Sequence, residues 1–121
     1  MKVYVAHSTS YDFRGELYDP IKCSELFKEH EIIFPHDDPN MMFFSRDLLK
    51  QIDLIVAECS YPSTGLGIEL GWAFDDNIPI YCIYKKGFGI SSSIKMITDN
   101  IFEYDNANEM VNVLTSIVTH M

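Results

Sequence analysis

The segment Tyr61-Pro62-Ser63-Thr64-Gly65-Leu66-Gly67-Ile68-Glu69-Leu70-Gly71 carries the densest chemistry in this chain. Gly65 and Gly67 allow a sharp turn and let a ligand come close to the backbone. Glu69 then falls in the first turn of the following helix, where the helix dipole favours an ionised carboxylate that could act as a nucleophile. A second carboxylate, Asp47, lies near the start of a short helix upstream. If the two converge at one sheet edge, one can attack a sugar while the other manages the proton of the leaving group. Retaining glycosidic chemistry uses such a pair roughly 5 Å apart. Crowding two carboxylates also drives their proton affinities apart, which suits an acid and a nucleophile. Taken singly, each residue has a simpler reading, because acidic side chains commonly decorate helix N-termini.

Ser63, Ser91, Ser92 and Ser93 supply hydroxyls beside helix N-termini. Capping is the default role there, and phosphate binding would use the same geometry. Arg14, after the first strand, is either a phosphate clamp or an ordinary surface arginine. Tyr4 is expected to face the core, from which its phenol could reach Glu69. Of the four histidines, only His36 is read as lying at the carboxyl end of a strand, and the set lacks metal-ligand spacing. No metal and no cofactor is expected. The Gly-x-Gly unit is not a dinucleotide fingerprint, since the third glycine is misplaced and the unit follows the third strand rather than the first.

The elements that must position these groups alternate along the chain. Lys2 to His7 reads as a strand. Asp19-Pro20 is a plausible cap and first-turn proline for a helix running toward His30. Glu31 to Pro35 is a second strand, followed by the polar stretch His36 to Asn40. Ser45 can cap a short helix through Leu48, Leu49 and Ile52. Asp53 to Cys59 is a nearly continuous apolar run of the kind found in parallel sheets. Pro62 to Gly67 reads as a loop, Ile68 to Asp76 as a helix, and Ile78 to Tyr84 as a buried strand. Ser91 to Asp99 is a short helix, Ile101 to Tyr104 a last strand, and Asn106 to His120 a terminal amphipathic helix. The pattern predicts one α/β domain, residues 1–121: a five-stranded parallel sheet with helices on both faces. Ligands of such sheets collect beyond the carboxyl ends of the strands. That singles out the loops Ser8 to Arg14, His36 to Ser45, Cys59 to Gly67 and Lys85 to Ser93.

With 121 residues, 47% hydrophobic and 22% charged, the chain can bury a real core. It has no apolar run long enough to span a membrane and no signal-peptide pattern at Met1. Cys23, Cys59 and Cys82 are odd in number and widely spaced, as expected of reduced, largely buried thiols in a cytoplasmic protein. A net charge of −9 without a basic stripe argues against duplex nucleic acid and anionic membrane as partners. A small anionic ligand is still possible, because backbone N–H groups bind phosphate without net positive charge.

From Asp47 through Gly71, with Asp53-Leu-Ile-Val-Ala-Glu58 and Ser63-x-Gly-x-Gly-x-Glu69-Leu-Gly, the chain resembles the nucleoside 2-deoxyribosyltransferase superfamily. Its nearest branch is the deoxynucleoside 5′-monophosphate N-glycosidases. The resemblance implies a flavodoxin- or Rossmann-like sheet and a homodimer, or higher homo-oligomer, with shared active sites. It implies Glu69 as the nucleophile, Asp47 as the second acid, and Tyr4 as the strand-one tyrosine. In the transferases an acidic residue six positions before the nucleophile holds the free 5′-hydroxyl; the monophosphate hydrolases have serine there, and this chain has Ser63. A second phosphate-binding serine from the neighbouring subunit corresponds to Ser93, with Ser91 as an alternative. The chain departs from the pattern after strand one, where a glycine-rich, arginine-containing loop is replaced by His7-Ser-Thr-Ser-Tyr-Asp-Phe-Arg14. The expected substrate is a small nucleoside or nucleoside monophosphate. The alternatives are transfer of deoxyribose between bases and nucleotide binding without turnover.

Overall fold

The computed structural model describes residues 1–37 and 46–120. The described elements are β1 (Lys2–His7), a π turn (Arg14–Tyr18), α1 (Asp19–Lys22), α2 (Glu25–Glu29) and β2 (Glu31–Ile33). They continue with α3 (Arg46–Leu49), β3 (Leu54–Glu58), α4 (Thr64–Asp75), β4 (Ile80–Lys85), α5 (Ser92–Lys95), β5 (Ile101–Tyr104) and α6 (Ala107–Thr119). The proposed cap at Ser45 and most of the His36 to Ser45 loop lie outside the described residues.

All five strands pair in parallel, in the order β2-β1-β3-β4-β5, as the alternating pattern predicts. β1 and β3 are neighbours at the point where chain order reverses, which opens a crevice at their carboxyl ends. β3 is buried along its whole length, because helices cover both sides of the sheet. Val3, Val5, Leu54, Val56 and Ile83 face the π turn, α1, α2 and α6. Tyr4, Ala6, Ile55, Ala57 and Cys82 face α3, α4 and α5. Among the described residues no helix is long and apolar enough to cross a membrane.

Helices α3 and α5 end earlier than expected, at Leu49 and Lys95 rather than Ile52 and Asp99, and two other helical regions depart further. The first helical region begins at Arg14 and breaks at Cys23 and Ser24, so the helix expected from Asp19 to His30 becomes a π turn and two short helices. Ser24 is extended, with φ −98° and ψ 166°, and restarts the chain as α2. The segment Pro62 to Gly67, read as a loop, is already helical from Thr64 onward. The intrinsic cost of two glycines is outweighed there by a cap and by burial of an apolar face.

Candidate active site

Ser63 is the N-cap of α4: its backbone is extended and its Oγ accepts the Leu66 N–H at 3.2 Å. Gly65 and Gly67 therefore sit within the helix and have no left-handed backbone; the turn role expected of them is absent. A Cβ added at either would meet nothing within 4 Å, so they leave the outer surface of the first turns bare. The buried positions of α4 are Leu66, Glu69, Leu70 and Ala73, one stripe at helical spacing against the sheet. Glu69 is part of that stripe.

This placement reverses the expected electrostatics of Glu69. It lies beyond the first turn of α4, where the helix dipole has little hold. Burial, at 5% exposure, dominates and pushes its carboxyl up to about 7, while the Tyr4 phenol pulls it partly back down. Tyr4 is fully buried in β1 beneath α4. Burial first, and the Glu69 charge second, hold its phenol far above the ordinary range, so it remains a proton donor. Tyr4 and Glu69 shift each other's proton affinity, yet among the described residues neither Tyr4 Oη nor Glu69 Oε2 has a partner in hydrogen-bond geometry. A buried polar atom left in that state costs about 1–3 kcal/mol, and such atoms are rare in native proteins.

Asp47 is placed differently. α3 packs against α4 on the same face of the sheet, but Asp47 itself is exposed. Its neighbour Arg46 grips Asp76 through Nε–Oδ2 at 3.0 Å and Nη2–Oδ1 at 2.8 Å, and also pairs with Asp75. These acids close α4, which returns antiparallel to the strands, so they lie toward the amino edge of the sheet. From Glu69 to Asp75 the helix rises about 9 Å. Burial and Tyr4 account for the shifted Glu69, with no contribution from Asp47. The geometry thus brings Tyr4, rather than Asp47, against Glu69.

Ser63 and Ser91 line one pocket of about 110 Å³ with Cys59, Leu66, Gly67 and Ile94. Ser91 caps α5 by accepting the Ser93 N–H at 3.3 Å. Both hydroxyls therefore accept from a helix N-terminus and keep their own proton for another acceptor. Ser93 is exposed on α5.

Arg14 and His36 also meet, on the other side of the crevice. Arg14 Nη2 donates to the His36 carbonyl at 2.8 Å, and its guanidinium lies 5.1 Å from the Phe13 ring centre. Burial, then Arg14, lowers the His36 imidazole below its ordinary value. The structure corrects the reading of His36 as the one strand-end histidine: His7 is the last residue of β1, and it is buried. Its position in the strand pattern carried that signal.

A second polar group was also missed. Glu58 ends β3 on the α6 face, where it accepts the Ser60 N–H at 2.6 Å and the Tyr104 hydroxyl. Beside it, Lys85 bonds Glu16 at 2.5 Å and Tyr61 Oη at 2.9 Å, and lies 5.0 Å from the centre of the Tyr11 ring, which stacks on Tyr61. An acid inside the apolar run of β3 was the available sign, since a buried polar residue is the informative one.

The parallel order β2-β1-β3-β4-β5 and the β1–β3 crevice define a flavodoxin-like, doubly wound α/β sandwich. No family model matches the chain. Over 86 residues it is 36% identical to a Syntrophotalea carbinolica protein named 2′-deoxynucleoside 5′-phosphate N-hydrolase 1, covering 64% of this chain and 60% of that protein. The chain thus matches less than two thirds of that relative. Its fold is similar to a Clostridium botulinum CMP N-glycosidase, with a TM-score of 0.66 at 21% identity over 95% of this chain and 99% of that one. It is likewise similar to a 2-deoxyribosyltransferase from Bacillus psychrosaccharolyticus, with a TM-score of 0.60 at 21% identity over 93% and 91% of the two chains. In fold the chain is similar to deoxyribosyltransferase-type enzymes, and in sequence to nucleotide N-hydrolases.

Proposed function

We propose that this chain cleaves the N-glycosidic bond of (deoxy)nucleoside 5′-monophosphates, giving free base and sugar phosphate. The observation that carries this reading is Glu69, a buried carboxyl poised near neutrality, beside the Tyr4 phenol, with one oxygen unpartnered. An oxygen kept free at such cost suits a bond that forms only with substrate.

In the proposed reaction ionised Glu69 attacks the anomeric carbon. A C1′–O bond forms as the C1′–N bond breaks, and the base leaves with the electron pair and takes up a proton. Water then attacks C1′, Glu69 departs as carboxylate, and the water proton is released. Tyr4, buried beside Glu69, favours its charged form. Asp47 is assigned proton management by the resemblance; its exposed position on α3 makes it the smaller contributor. Ser63 and Ser91, with Ser93 of a second copy, would hold phosphate together with Arg14 and His36. Gly65 and Gly67 would let substrate lie against the bare turn of α4. A carboxylate at position 63 would repel phosphate, whereas a hydroxyl donates to it, which favours the hydrolase over the transferase. The proposed working unit is a cytoplasmic homodimer acting on a small nucleotide.

The test is incubation with the deoxynucleoside and ribonucleoside monophosphates, following free base by chromatography. Base release that disappears in Glu69→Gln supports the proposal. No release from any of them, or release equal in wild type and Glu69→Gln, overturns it. A second free base added to the mixture exposes a transferase by the new nucleoside it yields.

A further inference from the structure

A hydrogen-bond chain, buried at His7 and Tyr18 and exposed at its His36 end, ties together three segments at the carboxyl edge of β1. The His36 N–H donates to Tyr18 Oη at 3.1 Å, Tyr18 Oη lies 2.6 Å from His7 Nε2, and His7 Nδ1 lies 2.8 Å from the Ser8 carbonyl oxygen. A carbonyl only accepts, so Nδ1 carries the ring proton. In the neutral ring Nε2 is then an acceptor, and the Tyr18 hydroxyl must donate to it. Burial pulls the His7 imidazole down to about 4, so this arrangement holds at neutral pH. His7 is 4% exposed and Tyr18 is fully buried, with Phe13 and His36 rings packed 4.5 Å and 5.2 Å from the imidazole.

This chain fixes the backbone of His36, whose carbonyl in turn receives Arg14. Lys22, at 2.6 Å from Asp37, braces the next residue. In the loop after β1, the Ser10 N–H donates to Ser8 Oγ at 3.1 Å and the Phe13 N–H to the Tyr11 carbonyl at 2.8 Å. Those two amides are spent within the loop and are not open to an anion. Among the described residues the rim carries two cations, Arg14 and Lys22, which share Asp37 at 3.7 Å and 2.6 Å, and Arg14 is the more exposed of them.

We propose that His7 and Tyr18 are positioning residues that hold the Arg14–His36 rim in place to receive a 5′-phosphate, replacing a glycine-rich loop with a side-chain scaffold. This rests on the nucleotide reading above, but concerns binding rather than bond cleavage. Neither residue touches substrate; both act through the His36 backbone.

The experiment measures nucleoside monophosphate binding by calorimetry, and KM and kcat by base release, in wild type, Tyr18→Phe, His7→Leu and His7→Gln, each checked for folding by thermal melting. Tyr18→Phe and His7→Leu should raise Kd and KM about tenfold with kcat within about twofold, whereas loss of packing alone would lower kcat and melting temperature without that split. His7→Gln, whose amide oxygen can accept from Tyr18, should recover most of the affinity. Folded Tyr18→Phe and His7→Leu with wild-type Kd overturn the inference, as does a His7→Gln as weak as His7→Leu. Binding that follows this pattern in a protein that releases no base supports the scaffold and removes the catalytic reading. Wild type that binds no monophosphate removes both.

Discussion

Glu58 and Glu69 are both buried carboxylates, 1% and 5% exposed, and they sit on opposite faces of the same sheet. Glu58 ends β3, and each of its oxygens is used, one by the Ser60 N–H and one by Tyr104. Glu69 lies in the core stripe of α4, has one idle oxygen, and is displaced toward neutrality. Burial alone therefore does not mark a reactive acid. A carboxylate whose bonds are all made has been given a structural task, whereas one kept dry and partly unpaired stores a cost that only a ligand can recover.

The contrast is broken most directly by Glu69→Gln. Base release should fall at least about 1,000-fold, roughly 4 kcal/mol of barrier, while melting shows stability equal to or above wild type at pH 7. Glu58→Ala should do the opposite. It strands the Ser60 N–H and the Tyr104 hydroxyl and should cost about 3 kcal/mol in urea unfolding, with turnover per folded molecule within a few-fold of wild type.

The pH dependence sharpens the comparison. Glu69 rises from 4.5 to about 7 on folding. Between those values the folded chain holds more protons than the unfolded one, so its contribution is complete below about 4.5 and is lost as pH passes 7. Wild type should lose on the order of 3 kcal/mol across that window, a loss missing in Glu69→Gln. Base release should rise over the same range, because the nucleophile must be ionised. Tyr4→Phe removes the group that pulls Glu69 down, so the acid limb of the pH–rate profile should move upward, with about tenfold less activity at pH 6, or 1.4 kcal/mol. The smallest effect is expected at Ser63. Ser63→Ala should cost about 1 kcal/mol of stability through the lost cap, whereas Ser63→Asp keeps the cap, preserves melting, and raises KM for monophosphates.

Much of the architecture was legible from apolar runs. Lys2 to His7 and Ile101 to Tyr104 are strands at the expected bounds, and the Asp53 to Cys59 run contains β3. The start of α4 was not, because Thr64-Gly65-Leu66-Gly67 has the propensity of a loop; a cap and a buried stripe overrode it. That error put Glu69 in a first turn and assigned its charge to the dipole, when desolvation controls it. His7 was overlooked although the strand bounds placed it at the edge, since nothing local announces a partner as distant as Tyr18. Asp47 was named as the second acid from the family resemblance; its exposure on α3, where Arg46 grips Asp75 and Asp76, is a matter of tertiary packing.

By itself, the order of residues determined which stretches are strands, that they pair in parallel under helices, and that Ser63 and Glu69 share one segment. These follow from side-chain periodicity and short-range backbone preferences. Tertiary structure alone decided that Glu58 meets Tyr104 and that Tyr18 joins His7 to His36. Proton affinity and hydrogen-bond pairing depend on what surrounds a group in space, and the surroundings of a buried group come from distant parts of the chain.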